Sequence, residues 1–95
     1  MSHTITGTVV EIDSSGNLIT DILSERLDSA PTDASLRVMV DEHETFGLYP
    51  PEHSQPEMTL IAIANGSEPL RIVLVGDSAS AMLDVRVGAA VAVQW

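Results

Sequence analysis

Hydrophobic and polar residues alternate along much of this chain, and the alternation predicts short β-strands. Two alternating runs, Thr4–Ile12 and Asn17–Ile22, lie on either side of a short polar link. A period of two residues is that of a strand with one buried face. The positions on the inward face are Ile5, Gly7 and Val9 in the first run and Leu18, Thr20 and Ile22 in the second.

The link between these runs has the residue types of a tight turn. Asp13 suits the first position of a type I turn, because its carboxylate can accept the amide proton of Ser15. Gly16 suits the fourth position, where a positive φ is often required. Asn17 follows at once, as a polar residue that opens an aliphatic strand. The two runs and their link therefore predict a β-hairpin.

The rest of the chain predicts more strands, little helix and one long loop. The predicted strands are Leu36–Val40, Thr59–Ala64, Leu70–Val75 and Ala90–Gln94, with at most a short one near Thr45–Leu48. Helix is expected only near Leu23–Asp28 and Ser78–Leu83, the second capped by Asp77 or Ser78. The polar segment Asp41–Glu57 carries prolines, which cannot donate to a sheet ladder, so it is expected to be a loop.

Many short strands with few helical stretches favour an all-β barrel or sandwich. We expect an all-β fold, a small antiparallel β-barrel, closed or nearly closed, with one or two short helices. The chain of 95 residues fits a single domain, residues 1–95, that buries roughly 60–65% of the surface of its extended chain. The residues expected inside are Val9, Leu18, Val38, Ile61, Ile63, Ile72, Leu74 and Val91.

Charge and composition narrow the classes of function. Fourteen acidic residues against four basic ones give a net charge of −10. Such a charge repels phosphate backbones and anionic lipid headgroups, so we expect neither nucleic acid nor a membrane surface as a partner. The absence of cysteine excludes disulfides and thiolate metal sites. The segment MSHTITGTVV lacks a basic stretch followed by an apolar one, so we expect no secretory signal and a cytoplasmic location.

The polar segments match no familiar catalytic or metal-binding spacing. Carboxylates and imidazoles in Asp41–Glu44 and at His53 are potential cation ligands, but HExxH-type spacing is absent and a solvated loop is favoured. The serines lack a GxSxG context, and the segment VGDSASAM has no lysine for a phosphate-binding loop. We therefore expect no catalytic residue, no metal and no cofactor.

Asp13 and Asn17 allow two interpretations. A carboxylate and a carboxamide four residues apart across one turn can form part of a ligand site. The alternative, which the residues alone favour, is that Asp13 simply closes its turn through a local hydrogen bond. The residues alone leave both interpretations open.

The stretch IDSSGNLIT resembles the C-terminal domain of the S-adenosylmethionine hydroxide adenosyltransferases, relatives of fluorinating and chlorinating enzymes. The resemblance resumes in NGSEPLRIVLVGDSASAML and VRVGAAVAVQW, and so covers most of the chain. It extends only to the smaller domain of the family's two-domain enzyme. Family members displace methionine from S-adenosylmethionine, at a site between the large domain of one subunit and the small domain of its neighbour in a trimer.

On that resemblance, Asp13 matches the acid that holds the methionine ammonium, and Asn17 matches the amide that reads the adenine edge. Ser67 matches a serine at the amino-acid end of the ligand. Phe46, or less closely Tyr49, matches an aromatic that packs on adenine. We expect Asp13, Asn17 and Ser67 to converge on one surface, with the aromatic at its edge. Halogenating relatives place an arginine near the position of Val75, a contact that this chain lacks.

The resemblance implies a stand-alone small domain that binds an adenosyl ligand, with S-adenosylmethionine as the candidate, or a separately encoded catalytic domain. Without the larger domain we do not expect hydrolysis of S-adenosylmethionine by this chain alone. The alternative is a structural or assembly module that has lost the ligand. A homo-oligomer is expected, with a trimer favoured on resemblance.

Overall fold

The computed structural model describes residues 3–95, and within them the chain forms seven β-strands, a 3₁₀ helix and one α-helix. The strands are β1 Thr4–Ile12, β2 Leu18–Leu23, β3 Arg37–Val40, β4 His43–Phe46, β5 Leu60–Ile63, β6 Pro69–Leu74 and β7 Ala90–Gln94. The 3₁₀ helix is Ser24–Leu27 and α1 is Ala79–Leu83. No helix among residues 3–95 combines the length and apolar character needed to cross a membrane.

The strands form one antiparallel sheet that curls almost into a closed barrel. The order is β4-β3-β7-β1-β2-β6-β5, so β7 is inserted between β1 and β3. The two outer strands approach each other, and Thr45 Oγ1 donates to Leu60 O at 2.6 Å across the seam. Just beyond β4, Tyr49 bridges Ile63 of β5 in parallel fashion. The predicted nearly closed antiparallel β-barrel is therefore confirmed.

The register gives the barrel two distinct ends. Leu18 pairs with Ile72 at one end of the β2–β6 ladder, and Leu23 pairs with Pro69 at the other. The first end carries the β1–β2 turn and α1, because Ser80 N donates to Gly16 O at 3.0 Å. We call it the α1 end. The opposite end carries the 3₁₀ helix and the β5–β6 turn, and we call it the 3₁₀ end.

The core is aliphatic, and all eight residues predicted to lie inside are buried. Six of them belong to the main core cluster, but Ile61 and Ile63 do not. These two pair with Val73 and Arg71 of β6, whose side chains lie on the sheet face opposite the core. The segment 50–57 begins after Tyr49, which bridges Ile63 at one end of β5. It ends at Met58, whose backbone N–H donates to Val75 O near the other end of β5. The segment therefore runs the length of β5. Burial of Ile61 and Ile63 is thus separate from that of the barrel interior.

Helical structure lies where the sequence predicts it. Ser78 caps α1, since its Oγ accepts the Ala81 N–H at 3.1 Å. The helical segment after β2, Ser24–Leu27, is a 3₁₀ helix of four residues rather than two α-helical turns. It begins directly after β2, and Ser24 N is already committed to Glu68 O at 2.9 Å. This tertiary bond fixes the start of the helix against the β5–β6 turn.

Candidate functional site

The turn between β1 and β2 is held by a single carboxylate. Asp13 Oδ1 accepts the backbone N–H groups of Ser15 and Asn17, each at 2.9 Å. Asp13 Oδ2 accepts the side-chain Nδ2 of Asn17 at 3.0 Å. Gly16 N closes the turn onto Asp13 O at 2.9 Å, and Gly16 adopts the predicted positive φ of 83°. The local hydrogen bond predicted for Asp13 is present, and two more accompany it.

These contacts favour the ionised form of Asp13. The backbone hydrogen bond from Asn17 is the main cause that holds the pKa of Asp13 below its ordinary value of 3.8. Partial burial opposes the shift, while the Asn17 side chain, the Ser15 amide and the Arg71 charge assist it. Asp13 is therefore an anion at neutral pH that orients the carboxamide of Asn17.

The turn packs closely on the start of α1. A Cβ atom added at Gly16 would lie 1.9 Å from Ser78 Oγ and 2.5 Å from Ser78 Cβ. Only glycine satisfies both this approach and the positive φ. The turn and the helix cap are consequently fixed with respect to each other.

An open cleft of about 430 Å³, here called the Asn17 cleft, lies between the turn and the end of β6. Its lining combines Asn17 and other polar residues with two aliphatic residues of β6. The lining residues are Ser15, Asn17, Val73, Leu74, Gly76, Asp77 and Ser78. Sequence reasoning did not associate residues 76–78 with this site. The signal available was the Asp77–Ser78 cap, but its proximity to the first hairpin depends on tertiary packing.

A second open cleft, here called the Ser24 cleft, occupies the 3₁₀ end and has a volume of about 360 Å³. Apolar side chains form most of its wall. The lining residues are Ser24, Leu27, Asp28, Ala30, Thr32, Leu48, Tyr49, Pro50, Ala64, Asn65 and Gly66. The two clefts lie at opposite ends of the β2–β6 ladder, which spans roughly 17 Å at 3.3–3.4 Å per residue.

The structure brings together only two of the four predicted ligand residues. Asp13 and Asn17 are in contact at the α1 end. Ser67 lies in the turn before Pro69, which pairs with Leu23 at the 3₁₀ end. The prediction that Ser67 shares one surface with Asp13 and Asn17 is wrong for a single chain. It assumed that the two hairpin turns are neighbours, whereas antiparallel pairing of β2 with β6 separates them.

The two candidate aromatics also lie at the 3₁₀ end. Phe46 pairs with Arg37 at the end of β4 farthest from the β3–β4 turn, and 47% of its surface is exposed. Tyr49 lines the Ser24 cleft. Neither lines the Asn17 cleft, so packing of Phe46 on a base held by Asn17 would require a second chain.

His43, which lies in β4, and His53 contact different parts of the chain. His43 Nε2 lies 3.0 Å from Leu83 O, and His53 Nδ1 accepts the Gln55 N–H at 3.1 Å. Within residues 3–95, no group of three His, Asp or Glu side chains is arranged to hold a metal ion.

Fold and site together define a small antiparallel β-barrel domain with an open cleft beside its first hairpin turn. The family model of the SAM hydroxide adenosyltransferase C-terminal domain matches residues 7–92. The chain belongs to this family, as its resemblance suggested.

A solved structure with the same fold is the crystal structure of an uncharacterized conserved protein from Thermotoga maritima. The two superpose with a TM-score of 0.76 at 22% identity over 95% of this chain. This chain spans 35% of the Thermotoga chain, about a third of its length. A comparison with proteins of curated function gave no match.

Proposed function

We propose that this domain forms one wall of a binding site for an adenosyl ligand, and that the Asn17 cleft is that wall. The observation that carries the proposal is that Asn17 lines the cleft while its Nδ2 donates to Asp13 Oδ2. Membership of the SAM hydroxide adenosyltransferase C-terminal domain family supports an adenosyl group as the ligand.

The chemistry of Asn17 suits an adenine edge. One Nδ2 proton is committed to Asp13, which leaves a second proton and both lone pairs of the amide oxygen. A free donor beside a free acceptor is the pattern that asparagine uses to bind adenine at N7 and N6. Asp13 prevents the carboxamide from rotating, and its role in this proposal is to position Asn17.

A single wall is the most that the Asn17 cleft provides. Displacement at a carbon atom requires a positioned nucleophile and a site closed to bulk water. The Asn17 cleft is open, and this chain corresponds to about a third of the Thermotoga chain. A second domain, in the same or another chain, would supply the remaining wall and the chemistry. The chain alone is therefore proposed to bind without catalysing.

The test is a titration of the ¹⁵N-labelled protein with adenosine, followed by amide chemical shifts. Saturable shifts are expected at residues 15–17 and 73–78. Asn17→Ala should weaken binding about tenfold, the scale of one or two lost hydrogen bonds. Asn65→Ala is the matched control, since Asn65 lies at the 3₁₀ end and bonds only Glu68 through its amide. Equal loss in both variants, or no saturable shift at low millimolar adenosine, would refute the proposal.

Asp13→Asn distinguishes two roles for the carboxylate. If Asp13 acts by positioning Asn17, the variant loses affinity for adenosine and S-adenosylmethionine to the same extent. If Asp13 instead holds the methionine ammonium, as the family comparison implies, affinity falls only for S-adenosylmethionine, because adenosine has no ammonium. We expect the affinities for adenosine and S-adenosylmethionine to fall to the same extent.

A second candidate function is assembly through this domain, and exposed hydrophobic side chains favour it. Large apolar side chains that are 40–60% exposed are Val10, Leu23, Phe46, Met58, Met82 and Val87. We propose a homo-oligomer, with a trimer favoured on the family resemblance. Sedimentation at high micromolar concentration in about 0.3 M NaCl, enough to shorten the Debye length to about 6 Å, tests this. A strict monomer would contradict it.

A further inference from the structure

The polar groups that line the Ser24 cleft differ in whether they are already hydrogen-bonded within the chain. Most backbone N–H groups along its wall already donate to other residues of the chain. The lining residues whose N–H groups are committed to backbone carbonyls include Asp28, Ala30, Leu48, Tyr49 and Ala64. Asn65 N donates to Ser24 Oγ at 3.1 Å, and Pro50 has no N–H to offer. The backbone of the wall therefore has few free donors, and the donors that remain are side chains such as the Thr32 and Tyr49 hydroxyls and the Asn65 amide.

The same wall carries one anionic acceptor, the Asp28 carboxylate, and one buried hydroxyl, that of Ser24. Asp28 is exposed, and its carboxylate forms no ion pair with any residue of the described range 3–95. Ser24 is only 4% exposed, and its hydroxyl, which accepts from Asn65 N, donates to no other residue of that range. No basic side chain is among the described lining residues. A cation can pair with the Asp28 carboxylate, whereas the same carboxylate repels an anion and no basic lining residue offsets that repulsion.

The apolar part of the wall requires an apolar body on the ligand. Leu27, Ala30, Leu48, Pro50 and Ala64 line the cleft together with the ring of Tyr49. A volume of about 360 Å³ is at the small end of ligand pockets, which run from about 300 to 1,000 Å³. The net charge of −10 raises the local concentration of cations around the whole domain.

We propose that the Ser24 cleft is a second binding site, for a small organic amine with an apolar body. The ammonium pairs with Asp28, the apolar body lies against Leu48 and Tyr49, and the Ser24 hydroxyl is the polar group at depth. The site lies at the end of the barrel opposite the Asn17 cleft and does not depend on the adenosyl proposal.

Three probes of nearly equal shape test the proposal: 2-phenylethylamine, 2-phenylethanol and 3-phenylpropionate. In an amide chemical-shift titration, the amine should perturb residues 24–32, 48–50 and 64–66 saturably, at about millimolar affinity for so small a molecule. The alcohol should bind several-fold more weakly, and the carboxylate should not bind. Shifts confined to residues 15–17 and 73–78 would place the amine in the other cleft and overturn the proposal.

Two acidic variants complete the test. Asp28→Asn should reduce amine affinity about fivefold to tenfold while leaving binding of the alcohol unchanged, because only the charge is removed. Glu25→Gln is the matched control: Glu25 is exposed in the 3₁₀ helix that directly precedes Asp28 but does not line the cleft. Equal losses in both variants would show nonspecific attraction to an acidic surface. Equal affinity for amine and alcohol would likewise refute the pairing with Asp28.

Discussion

Individual residues at the α1 end do more than close a turn. Asp13 accepts three hydrogen bonds, two from backbone N–H groups and one from the Asn17 side chain. Gly16 brings this turn against Ser78, the cap of α1. The Asp13 carboxylate orients the Asn17 carboxamide, while Gly16 of the same turn and the distant Ser78 fix where that turn lies. Their substitution should therefore affect both stability and binding.

Asp13→Asn should make the free energy of unfolding of the domain less dependent on pH in the acid range. The lowered pKa of Asp13 means that its stabilising contribution is present above the ordinary value of 3.8 and is lost as pH falls through the folded-state value. We expect a loss of about 1 kcal/mol at pH 7 that disappears at acid pH. Urea unfolding between pH 2.5 and pH 7, in steps of about 0.5 units around the affected range, measures it.

Glu11→Gln, an exposed acid on β1, controls for the removal of one negative charge. A stability difference between the wild type and Asp13→Asn that stayed constant with pH would contradict the assigned pKa direction.

Gly16→Ala tests the close approach of the turn to α1. The added Cβ meets Ser78 Oγ at 1.9 Å, and φ is 83°, so we expect a cost of about 3 kcal/mol from strain and displacement. Gly66→Ala is the matched control, with φ of 56° and no atom within 4 Å of the added Cβ, and should cost about 1 kcal/mol. Similar losses in the two variants, measured by urea unfolding, would mean that the contact with Ser78 contributes little.

At the scale of elements, alternation predicts strands well but gives no information on which strands meet. The bounds of β1 and β7 and the helical segment Ser78–Leu83 follow from hydrophobic period, turn residues and a serine cap, which are local signals. The separation of Ser67 from Asn17 depends on the register of β2 against β6, for which the sequence carries no local signal. Ile61 and Ile63 are predicted to be buried, but alternation alone does not reveal that they lie outside the main core, on the opposite face of the sheet.

The barrel has a seam where β4 and β5, the two outer strands of the sheet, approach each other. Thr45, 8% exposed, donates its hydroxyl to Leu60 O at 2.6 Å across the seam. Thr45→Val keeps the shape but leaves that carbonyl without its partner, at a cost of about 1–2 kcal/mol. Amide exchange should accelerate in β4 and β5 more than in β1. Thr6→Val, on the exposed face of β1, is the control and should change neither the free energy of unfolding nor the amide exchange rates appreciably.

For the molecule as a whole, charge opposes folding. Four basic residues cannot balance fourteen acidic ones, and in residues 3–95 the ion pair found is Arg37 with Glu44, at 3.5 Å. That pair is partly exposed and contributes little. Compaction therefore brings many like charges together, and the aliphatic core must offset their repulsion.

Sodium chloride should raise the melting temperature, because it screens this repulsion. Between about 10 mM and about 0.5 M salt the Debye length falls from about 30 Å to about 4 Å, so we expect an increase of several degrees. Calorimetry measures it. The double variant Glu42→Lys and Glu52→Lys, at two exposed positions, should show a smaller increase. A melting temperature independent of salt would contradict the role assigned to net charge.

The position of β7 also bears on how the domain is made. β7 fills the gap between β1 and β3, yet it leaves the ribosome after every other element of the barrel. Until then β1 and β3 each carry a strand edge without its neighbour, and such edges invite pairing with other chains. Contacts between Thr4 and Gln94 also give the domain a high contact order, which slows folding. A nascent chain of this domain is therefore prone to aggregation until its final strand has emerged and paired.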